Sequence, residues 1–465
     1  MENENRCPYP DDCSIVCPPA LRTILIMLLL FTLNGCAFYS RVDNEPVVSG
    51  EPIEGWAEKL DMPLSKNSGD MLILLNFSGG GTRAATFAYG VLKELRDTRY
   101  GRGGRTRRLL DEVDSISSVS GGSFTSAYYG LFGDRIFEDF EKVFLKNNIQ
   151  KILINGLFNP LNWWKMLTTG FDRTELAIDY YNNYIFKGGT FADLKAGSGP
   201  YIQINATDLS LGRRFSFTQG YFDLLCSDYD SFPIARAVAA SSAVPVAFAP
   251  VVLENYDGCE LQVPDWYIDI RKDGGKDIRL AEMIAAIDSY SDKKERKYIH
   301  IVDGGITDNL GLRALYDRIA LLGGSDRATR GLEIGRIDKV VVLLVNAQTK
   351  PENPMDLLAE EPPVAEVLNA VSDAQLQRYN TESLILVKNG LKEWAAALST
   401  PERQMQSYFI QVDFESIHDS KKRQLFNNIA TSFALPGDEV DSLVETARQL
   451  LRNNPEFRRL IDNIR

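Results

Sequence analysis

The chain has 465 residues, of which 44% are hydrophobic and 25% are charged. This is the composition of an ordinary globular protein, so a disordered or fibrous chain is excluded. The formal net charge of -12 excludes an overall basic surface of the kind that binds nucleic acid. It also argues against tight electrostatic binding to anionic lipid headgroups.

The first segment in chain order predicts export. An apolar run from Thr23 to Leu33 follows Arg22. The run is shorter than the roughly 20 residues of a membrane-spanning helix and has the length of a signal-peptide core. It leads into Leu33-Asn34-Gly35-Cys36, which resembles a bacterial lipobox. The resemblance implies cleavage before Cys36 and a diacylglycerol anchor on its sulfur. Ala37 in the next position implies an outer-membrane lipoprotein of the bacterial cell envelope that faces the periplasm.

The first 20 residues depart from a basic leader, because they are acidic and contain cysteines. Either the true start lies further along the chain, or this segment is a short membrane anchor. We assign residues 1–35 to the signal peptide with its lipobox and residues 36–70, which are polar and rich in Pro and Gly, to a tether. Beyond Cys36 only Cys226 and Cys259 remain. They could form one disulfide in an oxidising compartment, but their spacing alone does not establish it.

Short apolar runs between turn residues predict the strands of an α/β domain over residues 71–350. The predicted strands are Met71–Phe77, Val113–Val119, Tyr201–Ala206, Tyr298–Val302 and Val340–Val345. Helical spacing at Ala84–Leu95 and Ser123–Phe132 completes strand–turn–helix units. The run Val340–Val345 is the most apolar, which predicts a central strand. Residues 351–465 are predicted to be mostly helical, including Val440–Leu451.

A stretch rich in aromatic residues separates Phe132 from Thr190. Its members include Phe158, Trp163, Trp164 and Phe171. Such residues either extend the core or form a lid or a membrane-facing cap, and exposed and core aromatics look alike in sequence. Both interpretations stay open at this stage.

Three glycines, Gly79, Gly80 and Gly81, follow the first predicted strand and precede Arg83. They let the backbone turn sharply and present bare N–H groups at a helix N-terminus, as an oxyanion hole requires. The residues after Gly81 do not provide the Gly-Lys-Ser/Thr of a P-loop, and the spacing fits a dinucleotide fingerprint poorly.

Ser120 lies between a predicted buried strand and a helix, in the sequence Ser118-Val119-Ser120-Gly121-Gly122. A serine in this setting is typical of a nucleophile elbow, whose usual pattern is G-x-S-x-G. Here Ser118 stands where the first glycine is expected. The third segment is Asp303-Gly304-Gly305 at the end of another strand, which taken alone is ordinary turn chemistry. Asp308 and Asn309 after it indicate a helix cap.

Together and in this order, the three segments resemble the patatin-like phospholipase family. Thr190–Leu194 and Ala235–Pro245 are similar to further segments of that family, so the resemblance covers Met71–Ala314. It implies a three-layer α/β/α fold with a mainly parallel sheet, to which residues 351–465 add a helical extension. It also implies a serine hydrolase that cleaves carboxylic esters of membrane lipids.

The resemblance implies a catalytic pair of Ser120 and Asp303. The amides of Gly79, Gly80 and Gly81 would form the oxyanion hole, and Arg83 would have a structural or anion-neutralising role. Supporting roles fall to Gly121, Gly122, Gly304 and Gly305. No cofactor and no metal are expected, because no acidic cluster has calcium-ligand spacing and no zinc motif occurs.

The shortage of histidine agrees with a dyad. The chain has only two histidines, whereas an ordinary serine hydrolase needs an imidazole to accept the serine proton. His300 lies on the strand that ends at Asp303 and is predicted to be a core residue. His418 permits the order Ser–Asp–His but lies in a polar stretch that predicts a solvated loop. Two alternatives therefore stay open: a Ser–His–Asp esterase that uses His418, and a non-catalytic envelope lipoprotein that binds lipid.

Overall fold

The computed structural model describes residues 41–42, 44–47, 69–102, 104–169, 171–261, 263, 265–273, 277–321, 337–350, 355, 359, 361–401 and 403–464. The predicted signal peptide, Cys36 and most of the tether lie outside the described residues, as does the side chain of Trp163. The described residues belong to one compact unit.

Within these ranges the chain forms strands at the positions that the apolar runs predict, with further strands between and after them. The strands are β1 (Met71–Phe77), β2 (Arg99–Arg102), β3 (Arg105–Arg108), β4 (Val113–Val119), β5 (Tyr201–Asp208), β6 (Arg213–Phe217), β7 (Val251–Glu254), β8 (Tyr298–Val302), β9 (Lys339–Asn346) and β10 (Gln406–Asp413).

The helices connect and cover these strands. They are α1 (Gly81–Asp97), α2 (Gly121–Phe132), α3 (Ile136–Phe140), α4 (Ile149–Leu157), α5 (Pro160–Thr168), α6 (Arg173–Tyr180), α7 (Phe191–Ala196), α8 (Gln219–Leu224), α9 (Ile234–Ser241), α10 (Asp265–Asp273), α11 (Ile278–Ser289), α12 (Gly305–Asp308), α13 (Arg313–Leu321), α14 (Val364–Leu398), α15 (Ser420–Asn427), α16 (Gly437–Asn453) and α17 (Pro455–Ile464).

The central sheet has the strand order β10-β9-β1-β4-β5-β8-β7, with β6 paired to β5. Pairs from β10 to β5 are parallel, whereas β6, β8 and β7 pair antiparallel. Strand β8 meets β5 only at Thr207 and Asp208, the last two residues of β5. The last residues of both strands pair there, so the C-terminal end of β8 lies at the same end of the sheet as the C-terminal ends of β1 and β4. Asp303 is thereby brought towards the turns that follow those strands.

Helices cover both faces of the sheet. Successive side chains of a strand point to opposite faces, and on β1 both sets are buried in separate clusters. One cluster includes Phe77 and the buried face of α1, and the other includes Leu74 and Leu391 of α14. Helix α16 packs closely on α1, where a Cβ at Gly90 would lie 2.6 Å from the Val444 carbonyl oxygen. These contacts give the expected three-layer α/β/α fold.

The C-terminal region is mostly helical, as predicted, but it also contains a strand that was not predicted. Strand β10 pairs in parallel with β9 along its whole length and forms the edge of the central sheet. Its side chains alternate between buried residues such as Ile410 and half-exposed ones such as Gln411, the pattern of an edge strand. Because the short alternating segment lies between long helices, its sequence is easily read as part of a helix. Strand β9 consequently lies second from the edge, not at the centre of the sheet.

Cys226 and Cys259 form a disulfide, with 5.7 Å between their Cα atoms. The spacing alone had left this pairing open. In the part of the chain that the structure describes, no helix is both long enough and apolar enough to cross a bilayer.

Candidate active site

Ser120 occupies a sharp turn between β4 and α2. Its backbone has φ 50° and ψ -121°, a conformation that non-glycine residues rarely adopt and that is concentrated at functional sites. The side chain is buried, and the positive end of the α2 dipole lies beside it. The local geometry is that of a nucleophile elbow, as the sequence predicts.

The structure explains how Ser118 replaces the usual glycine of the elbow. The Ser126 hydroxyl donates to Ser118 Oγ at 2.6 Å, and the Ser118 hydroxyl donates to the Gln203 carbonyl at 3.3 Å. Its polar side chain is therefore fully buried and still hydrogen-bonded, which removes most of the cost of burying it.

A second serine, Ser241, holds the Ser120 backbone. The Ser120 amide donates to Ser241 Oγ at 2.8 Å, and the Ser241 hydroxyl donates to the Asn205 carbonyl at 2.6 Å. Ser123 Oγ lies 3.1 Å from Ser241 Oγ. Asn205 also donates from its side chain to the Ser118 carbonyl at 3.1 Å. The strained turn is thus fixed on two sides, by the end of α9 and by Asn205 of β5. Ser241 lies within the segment Ala235–Pro245 but was not predicted as a site residue, because a run of small residues does not show which of them contacts the turn.

Asp303 follows β8 and lies beside Ser120. Burial raises the pKa of the Asp303 carboxyl from its ordinary 3.8 to about 6, although hydrogen bonds from the Gly305 amide and the Ser120 hydroxyl lower it. The Gly305 amide donates to Oδ1 at 2.7 Å. The Thr207 hydroxyl donates to the Asp303 carbonyl at 2.8 Å and fixes the backbone. Asp303 is thus a buried carboxylate, within reach of a serine hydroxyl, that becomes a competent base near neutral pH.

The glycine turn after β1 differs from the expectation in one respect. The Gly79 amide donates to the Asn309 carbonyl at 2.9 Å, so Gly79 does not offer its N–H to a ligand. No acceptor among the described residues takes the amides of Gly80 or Gly81, which begin α1. The candidate oxyanion hole is therefore reduced from three donors to these two. Gly81 has φ 60°, and a Cβ there would lie 2.5 Å from the Ser432 carbonyl oxygen.

The remaining expected glycines allow the turns to approach one another. A Cβ at Gly121 would lie 1.9 Å from the Gly81 carbonyl oxygen, and one at Gly122 would lie 2.8 Å from the Phe77 carbonyl oxygen. Gly304 lies against the Asn205 carbonyl, and a Cβ at Gly305 would lie 2.8 Å from Asp303 Oδ1. These four residues give the site its close packing and provide no reactive group.

Arg83 has a structural role. Its buried guanidinium donates from Nε to the Ala347 carbonyl at 2.9 Å, from Nη1 to the Ile429 carbonyl, and from Nη2 to Thr431 Oγ1 at 3.2 Å. Burial lowers the pKa of Arg83 to about 10. Arg83 therefore fastens the glycine turn to the loop after α15, and the anion-neutralising alternative has no support in these contacts.

Asn309 contributes to the site in a way that the sequence did not indicate. The side-chain oxygen of Asn309 lies 2.5 Å from where a Cβ of Gly79 would be and 3.2 Å from that of Gly305. Asn309 thus fills the space between the glycine turn and the aspartate turn. Asp308 accepts the Ala314 amide at 3.1 Å and caps α13, in agreement with the predicted helix cap.

Neither histidine lines the site. His418 is exposed in the loop that precedes α15. His300 is also exposed, on β8, so the prediction that it is a core residue was wrong. The described residues contain no cluster of His, Cys, Asp or Glu that could hold a metal ion.

A cavity of about 480 Å³ opens above Ser120. Most of its lining is apolar. The lining side chains belong to α4, α6, the loop after α9 and the loop between α15 and α16. The lining residues are Gly81, Ser120, Gln150, Leu153, Ile154, Leu157, Arg173, Leu176, Val244, Ala247, Phe248, Thr431, Ser432 and Phe433. A hydroxyl, a neighbouring buried carboxylate and two backbone donors therefore meet at one end of an apolar space. This arrangement can bind a hydrocarbon chain and present its carbonyl to a nucleophile.

Two solved structures that resemble the chain are of human GIVD cytosolic phospholipase A2. The first is 12% identical, with a TM-score of 0.44 and coverage of 88% of this chain and 64% of that chain. The second, a complex with methyl gamma-linolenyl fluorophosphonate and terbium chloride, is 11% identical, with a TM-score of 0.40 and coverage of 88% and 62%. The chain spans less than two thirds of the length of either structure.

No curated protein sequence matches the chain. The family model "Patatin-like phospholipase" matches residues 75–316, more than half of the chain and all of the residues that form the turns around Ser120 and Asp303. The chain therefore belongs to the patatin-like phospholipase family.

Proposed function

We propose that the protein is a lipid acyl hydrolase that cleaves carboxylic esters of membrane lipids with a Ser120–Asp303 dyad. The observation that carries the proposal is a strained, buried serine beside a buried carboxylate at one end of an apolar cavity. Family membership supports lipid as the substrate class.

In the proposed reaction, Ser120 Oγ attacks the ester carbonyl carbon while the hydroxyl proton passes to the Asp303 carboxylate. The carbonyl oxygen becomes an oxyanion, which the amides of Gly80 and Gly81 and the N-termini of α1 and α2 stabilise. Collapse of this intermediate breaks the ester bond, and Asp303 returns the proton to the leaving alcohol. Water then attacks the acyl-enzyme and gives its proton to Asp303; when this second intermediate collapses, the fatty acid leaves and Asp303 returns the proton to Ser120 Oγ.

We also propose that the mature protein is attached to the periplasmic face of the outer membrane through a lipidated Cys36. This rests on the lipobox resemblance of residues 33–36. The Cys226–Cys259 disulfide supports an oxidising compartment such as the periplasm, because structural disulfides rarely persist in the cytosol.

The decisive experiment is lipid-class profiling after incubation of membranes with the wild-type chain and with the Ser120→Ala variant. We expect free fatty acid and a lysolipid or deacylated product with the wild type only. Fluorophosphonate labelling should occur at Ser120 and be absent in the variant. If neither acyl release nor labelling is found with folded wild-type protein, the chain is a lipid-binding lipoprotein and the enzymatic proposal fails.

The Ser–His–Asp alternative is tested with a second pair of variants. The dyad predicts that Asp303→Asn abolishes ester hydrolysis and that His418→Ala leaves it unchanged, because His418 is exposed and does not line the cavity. The opposite result would assign the base to His418.

A further inference from the structure

Large apolar side chains are exposed beside the opening of the cavity. Phe158, Leu161 and Trp164 on and between α4 and α5 are 73%, 73% and 71% exposed, and Ile154 is 45% exposed. Val246, in the loop after α9, is 91% exposed. Single exposed apolar residues need no explanation, but a group of this kind around one opening marks an interaction surface. We call these five residues the rim.

The rim is continuous with the cavity. Ile154 both lines the cavity and reaches solvent, and Phe158 follows the last residue of α4 directly. Helix α5 is fastened to α4, because the Asn162 side chain donates to the Gly156 carbonyl at 2.8 Å. Leu161 and Trp164 are therefore carried by a helix that is attached to the cavity wall.

Val246 adds an independent observation. Its backbone has φ 73°, in the left-handed region, where a β-branched residue is a genuine outlier. Val244 and Ala247 on either side line the cavity, and Arg173 Nη2 donates to the Val246 carbonyl at 3.2 Å. The loop is thus held in a strained conformation that points an apolar side chain into solvent at the opening. Strain of this kind is concentrated where the conformation serves a function.

From these observations, and resting on the proposed function, we infer that the rim docks the protein onto the surface of a phospholipid bilayer, so that an acyl chain passes from the bilayer into the cavity without crossing water. The chemistry fits: aromatic and aliphatic side chains enter the boundary between headgroups and acyl chains. Residues 149–173, which carry four of the five rim residues, contain Lys151, Lys165 and Arg173 and a single acid, Asp172, so this segment of an acidic protein has a positive charge that suits phosphate headgroups.

The test is a fluorescence measurement that does not depend on catalysis. The full chain carries Ser120→Ala, and serine replaces Cys7, Cys13, Cys17 and Cys36 so that only an introduced cysteine is labelled. An environment-sensitive nitrobenzoxadiazole label is attached at Leu161→Cys or, as a control, at Ile278→Cys. Ile278 is 75% exposed and does not line the cavity. With vesicles of phosphatidylethanolamine and phosphatidylglycerol, we expect a blue shift at position 161 that doxyl-labelled lipid quenches, and no response at position 278.

A binding comparison complements the label. In the Ser120→Ala, Cys36→Ser background, the pair Phe158→Ser and Leu161→Ser should weaken vesicle binding on the order of tenfold or more, because two apolar side chains no longer enter the bilayer. The matched pair Ile278→Ser and Val364→Ser removes equally exposed side chains elsewhere and should not weaken it. In the active chain, the rim pair should lower hydrolysis of vesicle lipid more than hydrolysis of a soluble short-chain ester.

Two other results overturn the inference. A label at position 161 that stays unquenched, or that responds no more than position 278, shows that the rim does not enter the bilayer. A blue shift that depends on protein concentration without vesicles shows that the rim binds a second copy of the chain. If wild type hydrolyses no ester while the label inserts, the proposed function fails and the docking inference stands.

Discussion

Replacement of Asp303 by asparagine should abolish catalysis and stabilise the fold at neutral pH. Asparagine keeps a side-chain oxygen that can accept the Gly305 amide, which Asp303 binds at 2.7 Å. It is nearly the same size, so the turn should keep its geometry. It cannot accept the Ser120 proton, and loss of a general base typically lowers kcat by about 10² to 10⁴.

The stabilisation follows from the pKa of Asp303. Burial raises it from 3.8 to about 6, so the folded protein favours the protonated carboxyl. The stability that this group contributes is present below about pH 4 and is lost as the pH rises through about 6. A difference of that size corresponds to about 3 kcal/mol of unfolding free energy at neutral pH. Asparagine stays neutral at every pH and avoids this loss.

The measurement is the unfolding midpoint of wild type and of Asp303→Asn from pH 4 to pH 8, together with ester hydrolysis over the same range. The midpoints should coincide near pH 4, and the variant should become increasingly more stable than wild type between pH 4 and pH 6, with the full difference above pH 6. Wild-type activity should fall about tenfold for each pH unit below 6, as the base becomes protonated. A variant that keeps its activity, or that is less stable than wild type at pH 7 and equal to it at pH 4, would refute the reasoning.

Three further predictions concern the support of the site. Ser241→Ala leaves the Ser120 amide without its acceptor and should destabilise the fold by about 1–3 kcal/mol. The kcat should fall on the order of tenfold with little change in KM. The control variant Ser241→Thr, which keeps a hydroxyl, should restore part of the lost activity. Reduction of the Cys226–Cys259 disulfide, whose residues are 33 apart, should lower the unfolding free energy by about 3–4 kcal/mol in chemical denaturation, and a Cys226→Ser, Cys259→Ser variant should be insensitive to reductant. Gly81→Ala places a Cβ 2.5 Å from the Ser432 carbonyl and should lower kcat without preventing fluorophosphonate labelling, whereas Gly437→Ala, where nothing lies within 4 Å, should behave as wild type.

The strands that carry the site could be predicted from sequence. The predicted strands Met71–Phe77, Val113–Val119 and Tyr298–Val302 match the structure residue for residue. Met71–Phe77 is the clearest case, because a strand that is buried on both faces forms a continuous apolar run between turn residues. Strand β10 has one side in solvent, so its buried and exposed residues alternate. Eight alternating residues between two helices are a weak sequence signal for a strand. The position of β9 in the sheet order depends on that missed strand.

The site shows the same division between local and long-range information. Ser120, Asp303 and the glycine turn lie in short motifs whose backbone demands are local, so sequence identifies them. The partner of the Gly79 amide is not local, since Asn309 lies more than 200 residues away in the chain, and neither is the wall that Thr431, Ser432 and Phe433 provide. Ser241 was missed for the same reason. The reactive residues lie in motifs that can be recognised from sequence, whereas the residues that hold them in place are brought together only by the tertiary fold.

The pKa of Asp303 also constrains how the two residues of the proposed dyad would share the reaction. A carboxyl with a pKa of about 6 is a far weaker base than a serine alkoxide, so proton transfer from Ser120 is uphill unless charge is stabilised as it forms. The stabilisation has to come from the other side of the reacting carbonyl. Two helices begin there, α1 at Gly81 and α2 at Gly121, and their turns approach so closely that a Cβ at Gly121 would lie 1.9 Å from the Gly81 carbonyl oxygen. The converging N-termini and the Gly80 and Gly81 amides favour negative charge at that point. In the proposed mechanism Asp303 only transfers the proton, so we expect most of the rate enhancement to come from the convergence of the two N-termini, and the glycines that permit it should be as necessary as the dyad.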